Sequence, residues 1–265
     1  MKVVILAGGL GTRISEETDR KPKPMVEIGG RPIIWHIMKH YSMFGFSDFI
    51  ILLGYKGYVI KEFFFNYYLH QSDLTLDLRT NEFVTHQSYS EPWKITFLET
   101  GLETMTGGRI KKAQKFLKDE RFLLTYGDGL SNVSLKKLIE FHCETNVFLT
   151  MTAVQPEGRY GALNINENGQ ISSFVEKPRG DGSWINGGFF VCEPEIFEFV
   201  ENDQTVFEQE PLSDLATAGK LAAYKHDGFW QCMDTLRDKN RLNDLWDSGK
   251  PPWINIDGND LNLGR

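Results

Sequence analysis

The apolar run Val3-Val4-Ile5-Leu6 stops abruptly at a cluster of glycines, and this junction limits the possible fold more than any other part of the chain. Consecutive apolar residues bounded in this way read as a buried strand. The stretch Leu6-Ala7-Gly8-Gly9-Leu10-Gly11-Thr12-Arg13 then lacks side-chain bulk at three positions, so its N–H groups are open to close approach by a polyanion. Arg13 adds a planar, permanently charged fork, and Lys23, held between Pro22 and Pro24, adds a compact second cation. A tight strand-to-helix turn would explain the glycines alone; it would not explain two cations beside them.

Two common phosphate patterns do not fit. G-x-x-x-x-G-K-[ST] fails because Gly11 is followed by Thr12-Arg13, and G-x-G-x-x-G fails because Ile14 stands where a small residue is required. The chain beyond the loop still has α/β order. Arg31-Pro32 opens a helix with Ile33, Ile34, Ile37, Met38 and Tyr41 at helical spacing, and Asp48 to Gly54 reads as a second buried strand, completing a βαβ unit. A further helix from Gly57 to about His70 carries Phe63, Phe64, Phe65, Tyr67 and Tyr68, an aromatic excess that suits either core or a subunit contact. Residues 73–92 read as an inserted strand pair, open to the role of lid or oligomer arm.

Two aspartates stand at element ends. Arg121 to Gly127 is an apolar strand that delivers Asp128 between two glycines; in open α/β sheets ligands gather at the carboxyl ends of strands, which would aim Asp128 into the same crevice as the glycine loop. Asp-Gly is also an ordinary turn pair. Asp234 precedes a helix from Thr235 to Trp246, where its plain role would be that of N-cap. A second glycine pair, in Met105-Thr106-Gly107-Gly108-Arg109, precedes another helix and reads as an anion or base-edge site, with Arg109 as the donor. A hairpin turning at Asn168-Gly169 leads to Glu176-Lys177.

Composition excludes several classes. With 41% hydrophobic and 25% charged residues, the 265-residue chain suits one large α/β domain or one domain with a small appendage. A net charge of −7 without any basic block argues against nucleic-acid or anionic-membrane binding, and no apolar run is long enough to span a bilayer. A cytoplasmic protein is therefore expected. Cys143, Cys192 and Cys232 are far apart and odd in number, which suits buried free thiols better than disulfides or structural zinc.

Taken together, the glycine loop, Arg13, and Lys23 between prolines resemble the sugar-nucleotide pyrophosphorylases. The wording Ile14-Ser15-Glu16-Glu17-Thr18 and Lys21-Pro22-Lys23-Pro24-Met25-Val26-Glu27-Ile28-Gly29 is similar to the branch of that family that joins CTP to glucose 1-phosphate. The resemblance runs from Lys2 to about Trp253 in five motifs. It implies a Rossmann-like, mixed but mainly parallel sheet flanked by helices, the nucleotide-diphospho-sugar transferase fold, with a small β-rich sugar-binding part. It further implies one domain over 1–253, with a nucleotide part at about 1–130, a sugar-phosphate part at about 131–235, a C-terminal helix at 235–249 and a flexible tail at 254–265.

The resemblance also assigns roles. Leu6 to Arg13, Lys23, Thr106, Gly107, Arg109 and Gly127 would bind nucleotide; Tyr160, Gly161, Glu176, Lys177, Asn186 and Gly187 would bind sugar phosphate; Asp128 and Asp234 would hold magnesium. Arg13 and Lys23 would be catalytic, and the resemblance implies a homo-oligomer, with a hexamer as the form it suggests. The implied reaction is in-line attack by a sugar 1-phosphate oxygen on the α-phosphorus of CTP, which needs no general base because that oxygen is already ionised. Two alternatives stay open: a uridylyl- or thymidylyltransferase of the same fold, and a non-catalytic sugar-nucleotide sensor.

Overall fold

The structure is a computed structural model in which residues 1–9, 11, 21–156, 158, 162–166, 168–175 and 183–254 are described. Its centre is a seven-stranded sheet. In chain order the strands among the described residues are β1 (Val3–Ala7), β2 (Glu27–Ile28), β3 (Arg31–Pro32), β4 (Asp48–Leu53), β5 (Ser72–Asp77), β6 (Glu82–Ser88), β7 (Lys94–Glu99), β8 (Phe122–Tyr126), β9 (Gly129–Ser131), β10 (Leu149–Val154), β11 (Ala162–Ile165), β12 (Ile171–Val175), β13 (Ile185–Cys192), β14 (Leu221–His226) and β15 (Trp230–Cys232). The central order is β14-β10-β13-β8-β1-β4-β7. β1 pairs parallel with β4 and β8, β4 with β7, and β10 with β14, whereas β13 is antiparallel to both neighbours.

This single reversal matters for the site. The carboxyl ends of the other six strands share one edge of the sheet with the amino end of β13, so Asn186 and Gly187 arrive beside the residues that follow β1 and β8. Ligands of open α/β sheets collect at that edge.

Helices cover both faces. Those of the described chain are α1 (Ile33–Met43), α2 (Gly57–His70), α3 (Thr106–Leu117), α4 (Leu135–Glu144), α5 (Glu210–Thr217) and α6 (Leu236–Asp247). Alternate residues of β1 serve opposite layers: Val3 and Ile5 pack with Ile33, Ile37 and Leu138, while Val4 and Leu6 pack with Ile110, Ala113 and Leu215. A strand buried on both faces must be apolar throughout, which is why Val3–Ala7 reads as an unbroken hydrophobic run. Burying each such side chain is worth about 1.5–3 kcal/mol relative to exposure. α1 ends at Gly45, whose φ of +84° would strain a residue with a Cβ.

The inserted segment forms a separate ladder, β5 with β6, outside the central sheet. α2 is two-faced, with Tyr67 buried and Phe65 73% exposed, so its aromatic excess is partly core and partly surface. Trp253 closes the core below α1, its indole N–H donating to His36 Nδ1 at 3.3 Å. All three cysteines are free, and only Cys192 is fully buried; Cys143 is exposed and Cys232 half-buried, so the expectation of buried thiols holds for one of three.

Candidate active site

Lys23 occupies a single turn of 3-10 helix, Lys23–Met25, that Pro22 and Pro24 force into shape before β2. Its Nζ lies 2.6 Å from Asp128 Oδ2 and 2.5 Å from Asp234 Oδ1. The two carboxylates converge because β9 and β15 pair antiparallel: Gly129 stands opposite Cys232, and Met233 N donates to the Asp128 carbonyl at 2.8 Å. Burial works to lower the Lys23 pKa, but Asp128 foremost and Asp234 with it outweigh that and hold the ammonium above the ordinary lysine value. Lys23 is therefore a fixed positive charge.

Asp234 does not cap α6. Thr235 is the N-cap; its hydroxyl accepts from Asp238 N, and Asp238 accepts in return from Thr235 N, a capping box. The alternative of Asp234 as the N-cap is thereby ruled out. Asp238 also accepts from Asp234 N at 3.1 Å, so the cap fixes the backbone that carries Asp234.

Asp128, Cys232 and Asp234 offer ligand atoms within 4.8 Å of one another. Two hard carboxylate oxygens, drawn from distant parts of the chain onto one positive charge, fit an oxygen-preferring divalent cation such as magnesium. The half-buried thiol is raised above its ordinary pKa by burial and by Asp128.

The glycine loop meets this cluster from the β1 side. Leu6 and Ala7 are buried, so only their backbone can face a ligand. Gly9 has open space where a Cβ would stand, and Gly11 holds φ +65°. Gly127 presses against the Leu6 carbonyl, where a Cβ would come within 2.7 Å. Leu10, Thr12 and Arg13 lie outside the described residues, as do Tyr160, Gly161, Glu176 and Lys177 on the sugar side. Asn186 and Gly187 stand at the start of β13, as the topology requires.

The second glycine pair works differently from expectation. Gly107 N donates to the Thr205 carbonyl at 2.9 Å, and Met105 N to that of Asp203 at 2.8 Å. A Cβ on Gly108 would sit 2.5 Å from Asp203 Cα. These glycines permit backbone-to-backbone approach and spend donors on it. Arg109 likewise turns inward, with 5% exposure. Its Nη1 donates to Leu53 O (3.1 Å), Thr100 Oγ1 (2.5 Å) and Gly101 O (2.7 Å), and Nη2 to Leu102 O (3.1 Å). The guanidinium ties the loops after β4 and β7 together beneath Gly8 and is not presented to a base edge or phosphate.

The sequence reading passed over Tyr126 and Glu208. Tyr126 ends β8 two residues before Asp128, and its hydroxyl donates to Glu208 Oε1 at 2.7 Å. Glu208 Oε2 accepts from Thr106 Oγ1 at 2.6 Å. The only local signal was the tyrosine inside the strand-end motif itself.

Comparison with known proteins gives a consistent picture. Residues 2–238 match the Nucleotidyl transferase family. The chain is 57% identical to a glucose-1-phosphate cytidylyltransferase of Salmonella typhi over 254 residues, 96% of this chain and 98% of that protein. It is 48% identical to a probable glucose-1-phosphate cytidylyltransferase of Bacillus subtilis (strain 168), over 96% of this chain and 99% of that one. Among solved structures, HddC from Yersinia pseudotuberculosis is 27% identical with a TM-score of 0.68, covering 92% of this chain and 99% of its own.

Proposed function

The chain belongs to the nucleotidyl transferase family and to its glucose-1-phosphate cytidylyltransferase branch, and from that membership we propose that it joins CTP and α-D-glucose 1-phosphate to give CDP-glucose and diphosphate. The choice of cytosine and glucose rests on the 57% identity with a relative of that name. The chemistry rests on one observation, the Lys23 ammonium set between Asp128 and Asp234 at the ligand edge of the sheet.

An oxygen of the sugar 1-phosphate attacks the α-phosphorus in line, and the bond from that phosphorus to the bridging oxygen of the β-phosphate breaks. The attacking oxygen is ionised near neutral pH, so no side chain has to remove a proton. Catalysis is positioning and charge neutralisation. Lys23, permanently cationic, stabilises the α-phosphate, and Arg13 the departing diphosphate. Backbone N–H groups of Gly8, Gly9 and Gly11 receive the triphosphate, while Tyr160, Gly161, Glu176, Lys177, Asn186 and Gly187 hold the sugar phosphate. Asp128 and Asp234 would hold magnesium, which when bound supplies further neutralisation of phosphate charge.

The proposal includes self-association. Phe65 and Tyr58 on α2, with Leu78 and Phe83 on the β5–β6 arm, are large and exposed, and a second copy of the chain is the partner we assign to them. Light scattering after size exclusion tests this. No helix of the described residues is long and apolar enough to cross a membrane; the location proposed is cytoplasmic, where both substrates are charged, water-soluble metabolites. Diphosphate release with glucose 1-phosphate and CTP, UTP, dTTP, ATP or GTP in parallel tests the activity. CTP is expected to be strongly preferred, and a preference for another triphosphate would overturn the base assignment.

A further inference from the structure

Across the crevice runs a chain of side-chain hydrogen bonds whose polarity is fully determined. Asn186 Oδ1 accepts from Gly188 N at 2.9 Å, which fixes the amide and aims Nδ2 at the Tyr126 hydroxyl, 3.2 Å away. A carboxylate only accepts, so Tyr126 must donate to Glu208 Oε1 (2.7 Å) and Thr106 must donate to Oε2 (2.6 Å). Thr106 Oγ1 in turn accepts from Phe207 N at 2.9 Å. Every link has one donor and one acceptor, and no other assignment satisfies all four groups.

The links come from four separate places: the start of β13, the end of β8, the segment before α5, and the first residue of α3. The Tyr126 ring is held in place. A Cβ on Gly188, at φ +79°, would stand 2.4 Å from it, and Phe190 meets it edge-on with centroids 5.7 Å apart. Glu208 is exposed. An exposed carboxylate is well served by water and needs no protein donors, so its two short bonds serve the groups it joins, not its own solvation.

We propose that Tyr126 and Glu208 are positioning residues that lock the sugar-phosphate side of the crevice, through Asn186, to the nucleotide side, through Thr106 and the start of α3. The lock rests on the reading of the site given under the proposed function, extended by taking Thr106, ahead of the glycine pair and apart from the inward-turned Arg109, as the nucleotide-side residue that its motif implies. It makes the geometry of each half depend on the other, so loosening it weakens the grip on both substrates while the reacting groups stay intact.

The test is steady-state kinetics of Tyr126→Phe, Glu208→Gln, Thr106→Val and the Tyr126→Phe/Glu208→Gln double variant, varying each substrate separately. Phenylalanine keeps the ring and removes only the hydroxyl. Glutamine keeps the shape but cannot accept from both neighbours. Each single variant is expected to raise KM for both CTP and glucose 1-phosphate roughly tenfold, with kcat within about threefold of wild type. The double variant should be no worse than the weaker single, because both break one chain. Unchanged KM values in folded, active variants, or multiplicative effects in the double, would overturn the lock alone. A wild-type protein that releases no diphosphate from CTP and glucose 1-phosphate would overturn the reading of the site and the lock with it.

Discussion

Arg109 carries its guanidinium directly beneath Gly8: a Cβ built on that glycine would stand 2.3 Å from Nη1 and 2.6 Å from Cζ. A flexible arginine could step aside, but this one cannot do so without dropping the carbonyls of Leu53, Gly101 and Leu102. Gly8→Ala should therefore displace the phosphate loop, raising KM for CTP, and cost about 1–3 kcal/mol of stability by overpacking. Arg109→Ala removes the bonds to Leu53 O, Thr100 Oγ1, Gly101 O and Leu102 O together with the packing of a side chain only 5% exposed, and should cost about 1–3 kcal/mol. Thermal unfolding beside CTP kinetics checks both, and a normal Tm for Arg109→Ala would contradict the inward role.

Lys23 and Asp128 form the second test. Asp128→Asn and Lys23→Met should each reduce turnover by about a thousandfold or more while circular dichroism stays that of the wild type. Titration of diphosphate release with magnesium should show no activity in excess chelator. Near-normal turnover in Asp128→Asn would remove that residue from the metal site.

Asp238 lies behind the site and touches neither reacting group. Its carboxylate accepts from Asp234 N (3.1 Å) and from Thr235 N (2.9 Å). Asp238→Ala should cost about 0.5–2 kcal/mol through the lost cap. It should also weaken the apparent affinity for magnesium, because the backbone of Asp234 loses its anchor. Magnesium dependence equal to wild type would confine Asp238 to a structural role.

The fourth expectation concerns acid. Burial holds His36 and His40 down to about 4, against 6.5 for a free imidazole, with the Ile28 and Trp253 carbonyls opposing it in turn. A folded-state value below the unfolded one means the unfolded chain binds more protons. The stability involved is complete above about pH 6.5 and is lost as pH falls toward 4. Each histidine contributes on the order of 2–3 kcal/mol across that window. Tm measured from pH 7.5 to 4.5 should fall below pH 6.5, and His40→Leu should flatten the fall; identical slopes in the two proteins would contradict it.

These residues also show what the sequence could and could not reveal. The strand before Gly8, the helical spacing of α1 and the carboxylate after β8 are local patterns, and each was legible within a dozen residues. The capping box is also a local pattern, Thr235-x-x-Asp238, within four residues. Arg109 was not legible. Its partners include Leu53, 56 residues earlier, and only the parallel pairing of β4 with β7 brings that carbonyl beside Thr100. The same holds for Tyr126 and Glu208, 82 residues apart. Side-chain chemistry names candidate groups; tertiary pairing decides which of them face the crevice.

The most direct test of the account follows the label of CTP in the presence of glucose 1-phosphate and magnesium. With phosphorus-32 at the α-position, label should appear in CDP-glucose, and with phosphorus-32 at the γ-position it should appear in diphosphate. Failure to form CDP-glucose, or appearance of the γ-label in a sugar product, would contradict attack at the α-phosphorus and the function built on it.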